Sequence, residues 1–212
     1  MYRIENISFT YPKTNKKILD NISYTFEKNK VYAIKGLSGA GKSTLMSVIS
    51  GLEEKQEGVL FFDDQLINNI DKDRKKLISV IFQSYNLIES YSVEDNLKIG
   101  MYLSTGDISI DKIIDVLEKV GLSSDYLKRG IYNLSGGEQQ RIGIARALLC
   151  DTPIIIADEP TGNLDEKTQK VIFKLLKQIA YEEDKIIIIV THSSKIAEQS
   201  DVSLNLIEGK LE

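Results

Sequence analysis

The sequence predicts an α/β fold built on a mostly parallel core sheet, and three observations carry that expectation. Residues 31–34, 154–157 and 186–190 are short and almost wholly apolar, as strands buried on both faces of a parallel sheet are. Between the last two, Val171, Ile172, Leu175, Leu176 and Ile179 recur at helical spacing and supply the crossover that a parallel pair requires. The first runs into a glycine-rich turn at residues 36–41, followed by Leu45, Met46, Val48 and Ile49 at helical spacing as far as Gly51.

The remaining segments fill in around this frame. Tyr2, Ile4, Ile7 and Phe9 open the chain as a strand, and Ile22, Tyr24 and Phe26 alternate with polar residues as a half-buried antiparallel strand does. Residues 58–62 and 78–82 read as two more strands. Ser92 is placed to cap a helix through Leu97 and Met101, with Asp95 where a capping box puts its acid. Ile110, Ile113, Ile114, Leu117 and Val120 trace another helix, with Gly121 beyond its end. From 84 to 149 only helices are expected, so this stretch reads as a helical subdomain inserted in the α/β core. The N-terminal strands contribute an antiparallel β-subdomain. Val202, Leu204 and Leu206 alternate into a last strand, and residues 1–212 read as a single domain without repeats or low-complexity linkers.

Composition narrows the classes. With 42% hydrophobic and 27% charged residues, the chain has average globular usage, which argues against disorder. A net charge of −4 gives no general electrostatic case for nucleic acid, and none is expected as a partner. The single cysteine, Cys150, permits no internal disulfide and fits a reducing cytoplasm; flanked by Leu148 and Leu149, it is expected in the core. No basic segment followed by an apolar run opens the chain, so no secretion signal is expected. The longest aliphatic run, residues 186–190, is far below the roughly 20 residues that a membrane-crossing helix needs.

Chemistry enters at the glycine turn. Gly36-Leu37-Ser38-Gly39-Ala40-Gly41-Lys42-Ser43 satisfies G-x-x-x-x-G-K-[ST], between an apolar strand and a helix. Glycines let successive backbone N–H groups converge on phosphate oxygens, and the helix adds its positive N-terminal end. Lys42 supplies charge for the β- and γ-phosphates, Ser43 a hydroxyl for Mg²⁺, and Thr44 extends the contact. The expectation is a P-loop NTPase.

A second signal stands where residues 154–157 run into Asp158-Glu159. Ligand sites in open α/β sheets lie at the carboxyl ends of strands, so both carboxylates should share the crevice of the P-loop. Asp158 suits Mg²⁺, and Glu159 suits the water that attacks the γ-phosphate.

Leu134-Ser135-Gly136-Gly137-Glu138-Gln139-Gln140-Arg141 resembles the LSGGQ signature of ATP-binding cassette (ABC) proteins. Physically, Ser135, Gly136 and Gly137 leave N–H groups exposed where a helix begins, a second anion site apart from the P-loop. The resemblance spans the chain from Tyr11 to His192 and implies further roles. Tyr11 looks like the aromatic that stacks on adenine. Gln83 is similar to the glutamine that contacts Mg²⁺ and faces the permease. Asp165, in Asn163-Leu164-Asp165, resembles the residue that reaches across the dimer, although capping the following helix is its simplest role. His192, the only histidine, resembles the switch that contacts the γ-phosphate. Lys28-Asn29-Lys30 and the acidic Glu138 depart from the common pattern without removing a catalytic group.

The resemblance therefore implies an ATPase subunit that binds ATP and Mg²⁺, dimerises with a second copy, and works from the cytoplasmic face of a membrane on a separate permease. Its catalytic residues are Lys42, Glu159 and His192, and its metal ligands Ser43, Gln83 and Asp158. The stretch from Ala157 to Asp165, with Phe82-Gln83-Ser84-Tyr85-Asn86-Leu87-Ile88, is similar to the branch that serves lipoprotein release, macrolide efflux, cell division and peptide resistance. That branch implies a permease of the FtsX/MacB type. An ABC ATPase of repair or translation is the alternative, disfavoured because neither a long coiled-coil insertion nor a second cassette is present; a P-loop kinase leaves the signature loop and His192 unexplained.

Overall fold

The computed structural model describes residues 1–12, 16–67 and 70–212, the side chains of 70–72 excepted. In chain order the elements are β1 (Tyr2–Thr10), β2 (Lys17–Phe26), β3 (Lys30–Lys35), α1 (Lys42–Ile49), β4 (Glu57–Phe62), β5 (Gln65–Leu66), α2 (Ile70–Leu77) and β6 (Ile78–Ile81). Then come α3 (Val93–Thr105), α4 (Ile110–Lys119), α5 (Gly136–Leu149), β7 (Ile154–Asp158), α6 (Glu166–Glu182), β8 (Ile186–Val190), α7 (Ser194–Gln199), β9 (Val202–Ile207) and β10 (Lys210–Leu211).

Two sheets organise them. The larger runs β10-β9-β3-β8-β7-β6, parallel except for β10. The smaller, β2-β1-β4-β5, is antiparallel. Side chains of the parallel strands alternate between two apolar layers. Tyr32, Ile34, Ile154, Ile156, Ile186 and Ile188 pack with α1 and the antiparallel sheet. Val31, Ile155, Ala157, Ile187 and Ile189 pack on the opposite side with α5, α6 and, beyond them, α3 and α4. Covering both faces is what lets these strands be continuously aliphatic.

Helix ends follow local chemistry. Ser92 accepts from the Asp95 amide at the start of α3, but the box is only half made: its hydroxyl donates to Asp95 Oδ2 (2.6 Å). Beyond α4, Gly121 adopts the left-handed backbone anticipated for it (φ 74°). The expected helices between 84 and 149 are present, joined by two short 3₁₀ turns.

The strand expected at residues 58–62 is present as β4, paired with β1 in the antiparallel sheet. Other expectations need correction. The chain closes with a β9–β10 hairpin rather than one strand; Glu208 and Gly209 (φ 47° and 79°) form its two-residue turn. Cys150 is half-buried, its Sγ 3.4 Å from the Arg146 carbonyl, because it caps the end of α5 beside a surface groove. Val171 is 47% exposed, on the outer side of α6. Helices α2 and α7 were not anticipated: α2 is almost wholly charged and α7 is only six residues long. Among the described residues, no helix is long and apolar enough to cross a membrane.

The burial pattern sets a stability contrast. Ile188→Ala, in a strand with no exposed residue, should cost about 2–5 kcal/mol in chemical denaturation. Val171→Ala should stay within about 0.5 kcal/mol.

Candidate active site

In-register parallel pairing brings the strand ends level. Ile34 pairs with Val190, and Val190 with Asp158, so β3, β8 and β7 deliver their following residues to one edge of the sheet. Beyond that edge lies a cavity of about 430 Å³, lined by Tyr11, Ile18, Ser38, Gly39, Gly41, Lys42, Ser43, Thr44, Gln83, Asp158 and Glu159.

The loop from β3 to α1 turns through left-handed glycines, Gly39 (φ 79°) and Gly41 (φ 97°). A side chain at Gly41 would also press on Ile18, 3.0 Å from its Cγ2. Helix α1 begins without a side-chain cap or an acidic first turn. Its first amides and positive end thus suit an anion. Lys42 Nζ donates to the carbonyls of Gly36 (2.9 Å) and Leu37 (3.1 Å), folding back over the loop. Gly36 and Ala40 do not line the cavity; they shape the loop. Gly36 lies against β9, where a Cβ would come within 2.7 Å of the Leu206 carbonyl, and the Ala40 amide donates to the Leu37 carbonyl. Tyr11, 41% exposed, stands edge-on to Phe9 with its hydroxyl 3.2 Å from Thr44 Oγ1.

Asp158 ends β7 in a partly desolvated position. Burial, with neighbouring Glu159 adding like charge, raises its carboxyl pKa above the ordinary value despite Lys42 and a hydrogen bond to Ser43. Glu159 has left-handed backbone (φ 44°), an uncommon state for a residue with a Cβ. Its amide donates to the Val190 carbonyl (2.9 Å). Both of its carboxylate oxygens are held. The fully buried Thr191 donates its hydroxyl to Oε2 (3.0 Å), and His192 Nδ1 lies 2.7 Å from Oε1. Opposite a carboxylate, Nδ1 carries the proton, which leaves Nε2 for another partner. Thr191 was missed in the sequence; its place between an apolar strand and His192 was the available signal.

The other expected residues lie elsewhere. Ser135 caps α5 in a complete capping box, and Glu138 takes the Ser135 amide (2.7 Å), so that donor is not exposed as anticipated. The same carboxylate accepts from Tyr126 (2.6 Å), and these bonds hold the Glu138 pKa below its ordinary value. Gly137 meets Thr168 of α6 so closely that a Cβ would lie 2.6 Å from its Cγ2. Asp165 caps α6, accepting from the Lys167 and Thr168 amides. None of Ser135, Gly136, Gly137 or Asp165 lines the cavity.

The donors fit the groups they would hold. The loop offers backbone amides and one ammonium, a phosphate cradle. Among the described residues no three acidic, histidine or cysteine side chains gather to hold a metal. One carboxylate, one hydroxyl and an amide match Mg²⁺, which takes few protein ligands and completes its shell with phosphates and water.

Fold and site thus define a P-loop nucleotide-binding protein of cassette architecture. A family model described as ABC transporter matches residues 19–162. The chain is 37% identical over 214 residues to the uncharacterised ABC transporter ATP-binding protein YclH of Bacillus subtilis, covering 99% of this chain and 94% of YclH. It is 36% identical over 220 residues to the lipoprotein-releasing system ATP-binding protein LolD of Francisella tularensis, covering 98% and 94%. The dimeric structure of the ABC transporter cassette MJ0796, a protein of Methanocaldococcus jannaschii, superposes with a TM-score of 0.88 at 31% identity, covering 100% of this chain and 97% of that one. MJ0796 is also known in a post-hydrolysis state bound to ADP and phosphate. The chain belongs to the ABC transporter family as an ATP-binding subunit, in the branch that holds LolD.

Burial of the Asp158 carboxyl, with like charge beside it, makes a prediction. A carboxyl with a raised folded pKa withdraws stability as pH rises from its unfolded value, about 3.9, through the folded one. Asp158→Asn should stabilise the nucleotide-free protein by about 0.5–2 kcal/mol at neutral pH. Paired thermal melts at pH 7 and pH 4 should show the advantage shrinking on acidification.

Proposed function

We propose that the chain hydrolyses ATP as a head-to-tail homodimer and thereby drives a separate FtsX/MacB-type permease. The observation that carries this reading is the meeting of Lys42, Ser43, Gln83, Asp158 and Glu159 in one cavity, with His192 bonded to Glu159. The chain acts as one ATP-binding unit whose helical subdomain, residues 84–149, moves against the core.

Lys42 turns from its own loop carbonyls to the β- and γ-phosphates, while the amides of Ser38, Gly39, Gly41, Ser43 and Thr44 surround them. Tyr11 stacks on the adenine. Ser43, Gln83 and Asp158 hold Mg²⁺, which neutralises phosphate charge when bound. Glu159 accepts the proton of the attacking water, and Thr191 and His192 aim its carboxylate. His192 Nε2 then faces the γ-phosphate. Because Ser135, Gly136 and Gly137 stand outside the cavity, they serve the partner's nucleotide, with Asp165 beside the dimer contact. The dimeric form of the MJ0796 cassette supports this assembly.

The permease follows from the transporter naming of the relatives, and LolD favours the branch. Held by that permease, the protein works at the cytoplasmic face of the membrane. No nucleic acid enters this reading. A kinase would need an acceptor site, and it leaves the α5 loop without purpose.

Glu159→Gln should lower phosphate release from purified protein by at least about a hundredfold. It should also accumulate an ATP-dependent dimer on gel filtration. Normal turnover would remove Glu159 from its role, and release that depends on an added acceptor would favour the kinase.

A further inference from the structure

The turn that follows Gln83 passes through two successive left-handed residues, Tyr85 (φ 61°) and Asn86 (φ 49°). Asparagine adopts such backbone readily, but for a tyrosine it is uncommon and persists where the surroundings hold it. Within the turn, Tyr85 N donates to the Phe82 carbonyl (3.1 Å) and Ser84 Oγ to Asn86 Oδ1 (2.8 Å).

The stronger hold comes from α5. Arg146 Nη1 donates to the Asn86 carbonyl (2.6 Å) and Nη2 to the Tyr85 carbonyl (2.9 Å), so one planar fork grips both left-handed residues. Its stem crosses α3 at Gly100, where a Cβ would lie 2.4 Å from Arg146 Cγ. Partial burial lowers the guanidinium pKa, and the two carbonyls take the place of water around it. At the other end of α5, the Tyr85 hydroxyl comes within 3.0 Å of where a Gly136 Cβ would stand. The turn therefore spans from the first turn of the signature helix to its last. Gln83 stands just before it and lines the cavity.

We propose that Arg146 is a positioning residue: its fork holds the 84–86 turn against α5 and so fixes where that turn leaves Gln83 at the cavity. The inference rests on the reading above, in which the cavity binds ATP.

The test compares wild type with Arg146→Lys, which keeps the charge and most of the stem but loses the fork. Steady-state phosphate release, binding of a fluorescent ATP analogue, and amide exchange of residues 83–87 are measured on the full chain. Arg146→Lys should lower kcat by about 10- to 100-fold, as a displaced active-site group does. KM and analogue affinity should stay within about twofold, the signature of a lost transition-state contact rather than of binding. Exchange at 83–87 should quicken while β7 is unchanged. A purely structural role predicts instead a lower Tm with normal kcat in the folded fraction, and that result, or unchanged exchange, overturns the proposal. Should Arg146→Lys fail to fold, the exposed Asn86→Ala decides, since alanine resists the left-handed backbone; it should reproduce the kcat loss, and wild-type kcat there also overturns it. A wild-type protein without turnover would refute the ATPase reading separately, before any variant is compared.

Discussion

The lateral alignment of β3, β8 and β7 is the constraint on which the rest of the molecule depends. Aliphatic side chains leave both faces of these strands, so a slip of one residue would carry each apolar side chain to the wrong layer. That penalty sets where the strands stop. The phosphate loop, the acidic pair and the Thr191-His192 pair begin from one level because the isoleucines below them admit no other register. The chemical groups themselves contribute little to holding this order, and the electrostatics of Asp158 beside Glu159 oppose it.

Much of this was legible in the residues. Residues 154–157 and 186–190 could scarcely be anything but buried parallel strands, and the motif at 36–43 names its own surroundings. What remained hidden is long-range. That residues 58–62 pair with β1 follows from tertiary pairing, which periodicity does not encode. The charged stretch of α2 has no apolar repeat strong enough to announce a helix. Val171 lies at the edge of the helical stripe, and only packing decides which side of the edge faces solvent.

The site divides in the same way. Residue types at strand ends were readable because chemistry limits what can stand there. Thr191 was not, since a hydroxyl acquires a role only once Glu159 is seen to need a second anchor. Glu138 looked like a departure from a common pattern; in the structure it completes a helix cap and ties the signature loop to Tyr126. Its acidity is thus a local structural choice, made where Gly137 beside it already crowds Thr168 of α6.

Lys42 carries a consequence for affinity. Its ammonium is already solvated by two carbonyls of its own loop. Two of its three N–H donors are thus engaged, so on the proposed reading a phosphate that claims them gains the difference between two sets of charge-assisted bonds rather than the strength of one. Departure is eased by the same exchange, because the ammonium returns to acceptors that have stayed in place. On that reading the loop is a latch whose resting position is internal, suited to a ligand that is surrendered as often as it is seized.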